Sequence, residues 1–327
     1  MSYKVSMNKS PLVSILVPVY NVEQYIERCA RSLFEQTYEN LEYIFVDDCT
    51  PDKSIQIIEQ VLAEYPHRVN QVKIIHHNRN RGLAAARNTA IESCTGEFLT
   101  HVDSDDWIEL NAVEALVNKQ QENDADIVSS NTFCHLSDGS FKIGDTYSSL
   151  QGDPLSNIVS YKAAYHIWGR LIRVDLYRNY GIHCKEGVNQ CEDLQTLPQL
   201  AYYCHLHECV KIPLYHFNTT NINSYTYMGR FSHDDVIQQH ESFDIFYSFF
   251  LAKEPDKYGK VLAKRKMDYL FFLMKLCVRI CAKESFNQFK IELIELEDQN
   301  KDIKYCDIVH SLRRSYYLTK LVLLFYR

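Results

Sequence analysis

The chain has 327 residues, 46% of them hydrophobic and 24% charged, with 10 glycines and 8 prolines, a globular composition that excludes the disordered, collagen-like and low-complexity classes. That length is about twice the ~100–200 residues usual for one domain, so a core domain plus a second unit is expected. A formal net charge of −7 gives no electrostatic reason to bind a polyanion, and nucleic acid is not an expected partner.

In chain order, Leu12 to Val17 is a short apolar run read as a strand, and Asn21 is expected to cap a helix in which Val22, Ile26, Ala30 and Leu33 recur at helical spacing. Leu41 to Val46 is a second strand, Ile55, Ile58, Leu62 and Tyr65 mark a second helix, and Val72 to Ile75 is a third strand. A helix from Leu83 to Ser93 follows Gly82, then a strand from Glu97 to Val102, a helix with Leu110, Val113, Leu116 and Val117, and a strand around Ile127 and Val128. Repeated strand–helix units imply right-handed crossovers and a mostly parallel sheet, with ligands bound beyond the C-terminal ends of its strands. Thr132 to about Ser224 is mixed and rich in turns, and Phe231 to Arg327 has helical spacing throughout, which reads as an appendage.

No apolar stretch followed by a small-residue cleavage site opens the sequence, so no export signal is expected. Val261 to Ala282 carries too many charges for a membrane span of ~20 apolar residues. The 11 cysteines include no CxxC pair, which fits a reducing cytoplasm. Cys204, His205, His207 and Cys209 offer zinc-type ligand atoms, but residues this crowded on one strand or turn cannot all converge on one tetrahedral ion.

The polar residues that stand out fall just past strand ends: Pro18, Tyr20 and Asn21; Asp47, Asp48, Thr50 and Asp52; Asp103, Ser104, Asp105 and Asp106. Acids gathered at adjacent strand tips repel one another unless a cation or polar ligand offsets them, and oxygen-only ligands favour Mg²⁺ or Mn²⁺. Taken singly, each cluster also fits a solvated turn or a helix cap.

The segments PLVSILVPVYNVEQYI (11–26), FVDDCTPDKS (45–54), NRGLAAARNTAIESCTGEFLTHVDSDDW (80–107) and CEDLQTLP (191–198) together resemble glycosyltransferase family 2, the inverting enzymes of the GT-A fold. The resemblance implies an α/β, Rossmann-like nucleotide-sugar domain over 10–225, with a donor half at 10–130 and an acceptor half at 131–225, and a mainly helical region at 226–327. By the same resemblance Asp48 would contact the nucleotide base in a pocket shaped by Pro18, Tyr20 and Asn21. Asp103-Ser104-Asp105 would be the DxD motif, with Asp105 on the metal and Asp103 nearer the ribose. Arg87 would lie near the donor sugar or phosphates. In the "ED" motif, Glu192-Asp193, Asp193 would be the general base. Trp168 and Arg170 resemble the aromatic-plus-basic segment before that motif, with a buried tryptophan as the simple alternative. Asp106, Glu192 and His216 are further candidates for acceptor or loop contacts, together with Asn218 and Ser224.

The implied reaction moves a sugar, most simply from a UDP-sugar, to a hydroxyl of a glycan or lipid-linked acceptor in cell-surface polysaccharide or glycolipid synthesis. A metal would stabilise the departing diphosphate, and a carboxylate would take the acceptor's proton in one inverting displacement. A nucleotidyltransferase would show a glycine-rich phosphate loop after the first strand, where this chain reads VPVYNVEQ. A non-catalytic nucleotide-sugar binder would keep the DxD motif without a working base. Residues 311–327 have Leu318, Val322 and Phe325 on one helical face and Arg313, Lys320 and Arg327 on another, which suits either a peripheral contact with the inner face of a membrane or packing on the protein itself.

Overall fold

A computed structural model describes residues 10–144, 153–222, 224–225 and 231–300. The first half alternates strand and helix as its hydrophobic pattern requires: β1 (Val13–Val19), α1 (Ile26–Phe34), β2 (Leu41–Asp47), α2 (Ser54–Ala63), β3 (Val72–His76), α3 (Leu83–Ser93) and β4 (Phe98–His101). The second half is less regular, with β5 (Trp107–Ile108), α4 (Ala112–Asn123), β6 (Ile127–His135), β7 (Phe141–Gly144), α5 (Pro154–Val159), β8 (Arg170–Arg173), α6 (Val174–Tyr180), α7 (Glu192–Tyr203) and β9 (His207–Asn218). Three long helices follow, α8 (His233–Lys253), α9 (Pro255–Arg279) and α10 (Lys283–Gln299).

The strands form one nine-stranded sheet in the order β3-β2-β1-β4-β8-β6-β9-β5, with β7 added beside β6. β1 pairs in parallel with β2 and β4, and β2 with β3, whereas β8 runs antiparallel to both β4 and β6. Every residue of β1 is buried, as expected of a strand covered on both faces. Its alternation sends Ile15 and Val17 towards Ile26, Leu33 and Ile58 on one face of the sheet, and Leu16 towards Ala86, Ala90 and Leu197 on the other.

Asn21 does not cap the first helix. Its backbone is left-handed at φ 54°, its N–H donates to Thr50 Oγ1 at 2.8 Å, and α1 starts only at Ile26. The chain turns there because the β1–α1 and β2–α2 loops share hydrogen bonds, with Asp52 also accepting from the Glu23 N–H at 2.8 Å.

The C-terminal helices do not hang off the sheet. Phe243, Phe246 and Phe250 of α8 and Leu262 of α9 form one apolar cluster with Val159 of α5 and Leu194 of α7. No helix among the described residues is long and apolar enough to cross a membrane. The amphipathic tail expected at 311–327 lies outside the described residues.

Candidate active site

The C-terminal ends of β1, β2 and β4 open on one cleft of about 790 Å³. Pro18, Tyr20, Asn21, Asp48, Arg87, Asp103, Ser104 and Asp105 line it on the side of the parallel strands, and Trp168, Glu192 and Asp193 face them. These residues lie up to 175 positions apart in sequence, and the sheet's strand order brings them together.

At the tip of β2, Asp48 is buried and accepts from the Arg81 N–H at 2.8 Å, from the Gly82 N–H at 2.7 Å, and faces His77 Nδ1 at 2.6 Å. It thereby fixes the loop leading into α3. Gly82 is required in that loop, since its φ is 88° and a Cβ would lie 2.5 Å from the Asn189 side chain. Asp47 accepts from the Thr50 N–H at 2.8 Å and faces His76 Nδ1 at 2.8 Å. The acids after β2 are therefore offset by backbone amides and histidines, so the expectation that a metal offsets them narrows to the turn after β4.

That turn holds three aspartates in three different settings. Asp103 Oδ1 is paired with Arg87 Nη2 at 2.9 Å. Asp106 is fully buried and accepts from the Tyr215 hydroxyl at 2.7 Å and from the Asn218 N–H at 2.7 Å. The Tyr215 hydroxyl accepts from the Asp103 N–H at 3.1 Å, so β9 clamps the turn. Asp105 lines the cleft and accepts the Asn221 amide at 2.7 Å. Burial, and after it the Asp103 carboxylate, push the Asp105 carboxyl up to about 6. Among the three, Asp105 is the one that faces the cleft without a cation in direct contact, so its oxygens fit a hard divalent ion completed by ligand phosphates.

Arg87 lines the cleft and is held by acids on both of its sides. Its guanidinium is buried, with Nε on Glu192 Oε1 at 3.0 Å, Nη2 on Asp103, and Asp193 Oδ1 at 3.9 Å. Burial alone would lower its pKa, but Asp103, Glu192 and Asp193 together raise it. It is the counter-ion that joins the DxD turn to the start of α7. Asp193 Oδ1 and Arg87 Nη1 are buried atoms with no hydrogen-bond partner. Burial, then the Glu192 carboxylate, raise the Asp193 carboxyl well above its ordinary range, against the pull of Arg87. A carboxylate of raised basicity with an open lone pair beside the cleft is equipped to take a proton.

Three sequence candidates lie elsewhere. Asp106 is inside the clamp just described, bonded to Tyr215 and to the Asn218 N–H, and lines no part of the cleft. Arg170 is fully buried beneath the cleft and donates to the Trp168 carbonyl at 2.9 Å. His216 lines a separate groove of about 580 Å³, stacked on Trp107 at 4.7 Å and bonded to Glu109 at 2.8 Å. Conversely, His166, Gln239, Tyr269 and Phe272 line the cleft and were not anticipated. Helical spacing marks α9 as core, and Phe272 stands just off its buried stripe of Leu270, Leu273 and Met274, which is the one signal the sequence offers.

The zinc-type cluster does not assemble: His207 bonds Ser129 and the Cys204 thiol faces the Ala201 carbonyl. The only group of convergent metal-ligand side chains found among the described residues is His240, Asp244 and Glu292, where Lys266 Nζ already sits 2.9 Å from Asp244 and 2.6 Å from Glu292.

A mixed α/β sheet whose parallel strand ends deliver carboxylates to one cleft, with helices on both faces, defines the GT-A class of fold. The chain belongs to glycosyl transferase family 2, whose model matches residues 14–180, just over half of it. It is 36% identical over 177 residues to glycosyltransferase GlyA of Streptococcus pneumoniae, a match that covers 50% of this chain and 25% of GlyA. The chain thus spans about a quarter of that relative's length. Among solved structures it resembles S. aureus TarS 1–349 in complex with UDP, at TM-score 0.57 and 18% identity, covering 90% of this chain and 92% of that one. It also resembles the mannosyltransferase PcManGT of Pyrobaculum calidifontis in complex with GDP-Man and Mn²⁺, at TM-score 0.54 and 13% identity, covering 97% and 86%. Both structural likenesses concern the fold.

Proposed function

We propose that this protein is an inverting glycosyltransferase that moves a sugar from a nucleoside-diphosphate donor to an acceptor hydroxyl. The observation that carries this reading is the placement of Asp105 and Asp193 in one cleft, each with its buried carboxyl raised, on either side of the Arg87 ion pairs. Pro18, Tyr20, Asn21 and Asp48 hold the nucleotide at the ends of β1 and β2, and Asp103 and Ser104 the donor beside them. The UDP complex of TarS makes UDP the first nucleotide to test, and the GDP-Man complex of PcManGT makes GDP the second.

Asp193 takes the proton of the attacking acceptor hydroxyl. Its raised basicity matches that task, and Glu192, tied to Arg87, keeps the guanidinium in place beside it. A Mg²⁺ or Mn²⁺ ion held by Asp105 would supply Lewis-acid neutralisation of the leaving diphosphate. One displacement with a single base inverts the anomeric centre, and no nucleophilic side chain is needed. The acceptor is a glycan or lipid-linked glycan of the cell surface, reached from the cytoplasmic side, by analogy with the family.

Calorimetry with UDP, GDP, CDP and dTDP, each with and without Mn²⁺, tests the donor side. One nucleotide should bind in a metal-dependent manner, and Asp105→Ala should abolish that dependence. Asp193→Asn should then lower turnover by ~10²–10⁴ while nucleotide binding persists. A wild type that binds the nucleotide but transfers to no acceptor would instead mark a non-catalytic binder.

A further inference from the structure

Asp48 lines the cleft and His77, just past the end of β3, does not, yet their side chains meet at 2.6 Å and are almost fully buried. A carboxylate has roughly four acceptor positions, about two on each oxygen. The His77 ring and the Arg81 N–H take those of Asp48 Oδ1, and the Gly82 N–H takes one on Oδ2, so one on Oδ2 remains. Because a carboxylate only accepts, Nδ1 carries the proton in this contact. On the other edge of the ring, Nε2 lies 2.9 Å from the Thr89 hydroxyl, which can donate, and 3.5 Å from Arg81 Nη1, which can only donate. Neither partner needs a proton from Nε2, so Nδ1 keeps its own whether the ring is neutral or charged. The Arg81 and Gly82 amides belong to the loop that Asp48 itself holds, so loop and carboxylate fix each other. His77 is anchored independently: its N–H donates to the Asp47 carbonyl at 2.9 Å, extending the β2–β3 pairing, and its ring reaches Thr89 of α3.

We propose that His77 is a positioning residue for the nucleotide base: its Nδ1–H holds the Asp48 carboxylate so that the remaining acceptor position of Oδ2 meets an N–H of the base. This rests on the glycosyltransferase reading above. The terminal torsion of an aspartate is broad, and a hydrogen bond to the base forms well over only part of that range. Contacts on Oδ1 from two different elements, the end of β3 and the loop before α3, narrow it. One residue earlier on both strands stands a natural comparison. His76 Nδ1 faces Asp47 Oδ2 at 2.8 Å, but that ring is exposed and neither residue lines the cleft.

Calorimetry on the full chain, with Mn²⁺ present, uses the tightest-binding of UDP, GDP, CDP and dTDP, and inorganic pyrophosphate as a probe without a base. His77→Phe should weaken the nucleotide about tenfold, the scale of one hydrogen bond to a charged group, and leave pyrophosphate unchanged. His77→Asn, whose amide falls at the place of Nδ1, should recover most of the loss. His77→Gln, whose amide reaches the place of Nε2 beside Thr89, should recover little. Recovery in the opposite order would mean that the ring acts through α3, and equal weakening of pyrophosphate would mean general damage to the cleft; either result overturns the proposal. In an Asp48→Ala background His77→Phe should add less than about a twofold change, since the two residues act as one unit, and a further tenfold loss there overturns it. His76→Phe should change neither affinity, and a loss as large as that of His77→Phe counts against any special role for His77. Wild type supplies a measurement that does not depend on a folded Phe variant. In long-range ¹H–¹⁵N spectra, with His77 assigned by the signals that His77→Asn removes, Nδ1 should carry a proton whose signal shifts with the nucleotide and not with pyrophosphate. A ring protonated on Nε2 alone, or a signal that the nucleotide leaves in place, overturns the proposal. A wild type that binds no nucleoside diphosphate would overturn the glycosyltransferase reading itself, whereas nucleotide binding that every His77 variant keeps would overturn this inference alone.

Discussion

Arg87 carries more of the site than any other single residue, because its partners come from opposite ends of the cleft. Asp103 sits 16 positions along the chain from it and Glu192 sits 105 positions away. The acids were legible in the sequence, since each follows a strand end or opens a helix, but an ion pair across 105 positions leaves no local trace. For the same reason Asp103, Asp105 and Asp106 look alike in sequence, while one is ion-paired, one faces the cleft and one is sealed under Tyr215. Removing the Arg87 charge would strand the two buried carboxylates beside it. Arg87→Met should cost about 3–5 kcal/mol of stability at pH 7, the usual penalty for breaking a buried pair from one side. The sign of its pH dependence follows from Glu192 and Asp193, both raised, with burial as the main cause and Arg87 opposing. A carboxyl raised in the folded state binds its proton more readily there than in the unfolded chain, so acidification relieves the penalty. Urea unfolding of the variant and wild type should give a gap that narrows between pH 7 and pH 5, and a constant gap would mean that Arg87 acts through packing alone.

Elements were legible where they repeat and obscure where they do not. The parallel strands announce themselves as apolar runs between helices, but β5 has two residues, and β8 reads RLIR with a charge at each end. β9 carries Pro213 where its register against β6 shifts, so no unbroken alternation reveals it. The three C-terminal helices were legible as helices, but the polar knot that ties them was not. Lys266 of α9 bridges Asp244 of α8 and Glu292 of α10, and His240 Nε2 lies 2.9 Å from Glu292. Burial would raise the Glu292 carboxyl, but hydrogen bonds from His240 and Lys266 outweigh it and hold it at about 2. An acid depressed in this way contributes stability that is present above its unfolded value of ~4.3 and lost as pH falls towards 2. Lys266→Met should therefore cost about 1–2 kcal/mol at pH 7, a figure kept low because the knot is partly exposed to solvent. Its deficit should shrink as the pH is lowered below 4.5, as read from urea midpoints. A variant as stable as wild type at pH 7 would show that the helices are held by their apolar contacts alone.

For the whole molecule, the question is whether the α/β unit at 10–225 and the helices beyond it are separable. The family match ends at residue 180, which suggests that the later helices are dispensable. The packing argues otherwise. Val159 and Leu194 of the α/β unit are buried against Phe243, Phe246, Phe250 and Leu262, so cutting the chain after residue 225 would expose an apolar face on α5 and α7. Two further losses would fall on the cleft itself. Gln190 gives up its bond to Asp235, and Ser242, which links Gln195 to the Gln190 carbonyl, disappears, although both glutamines flank the Glu192-Asp193 pair. Gln239, Tyr269 and Phe272 would also leave the cleft wall. Because α7 carries the proposed base, its anchoring helices belong to the site as much as the strands that carry Asp48 and Asp105. A fragment ending at residue 225 should be aggregation-prone and should bind no nucleoside diphosphate in the presence of Mn²⁺ under conditions in which the full chain binds one. Gel filtration followed by calorimetry on both proteins decides the matter. A monomeric fragment with full nucleotide affinity would show that the donor half stands alone, and that α8 and α9 serve only the acceptor.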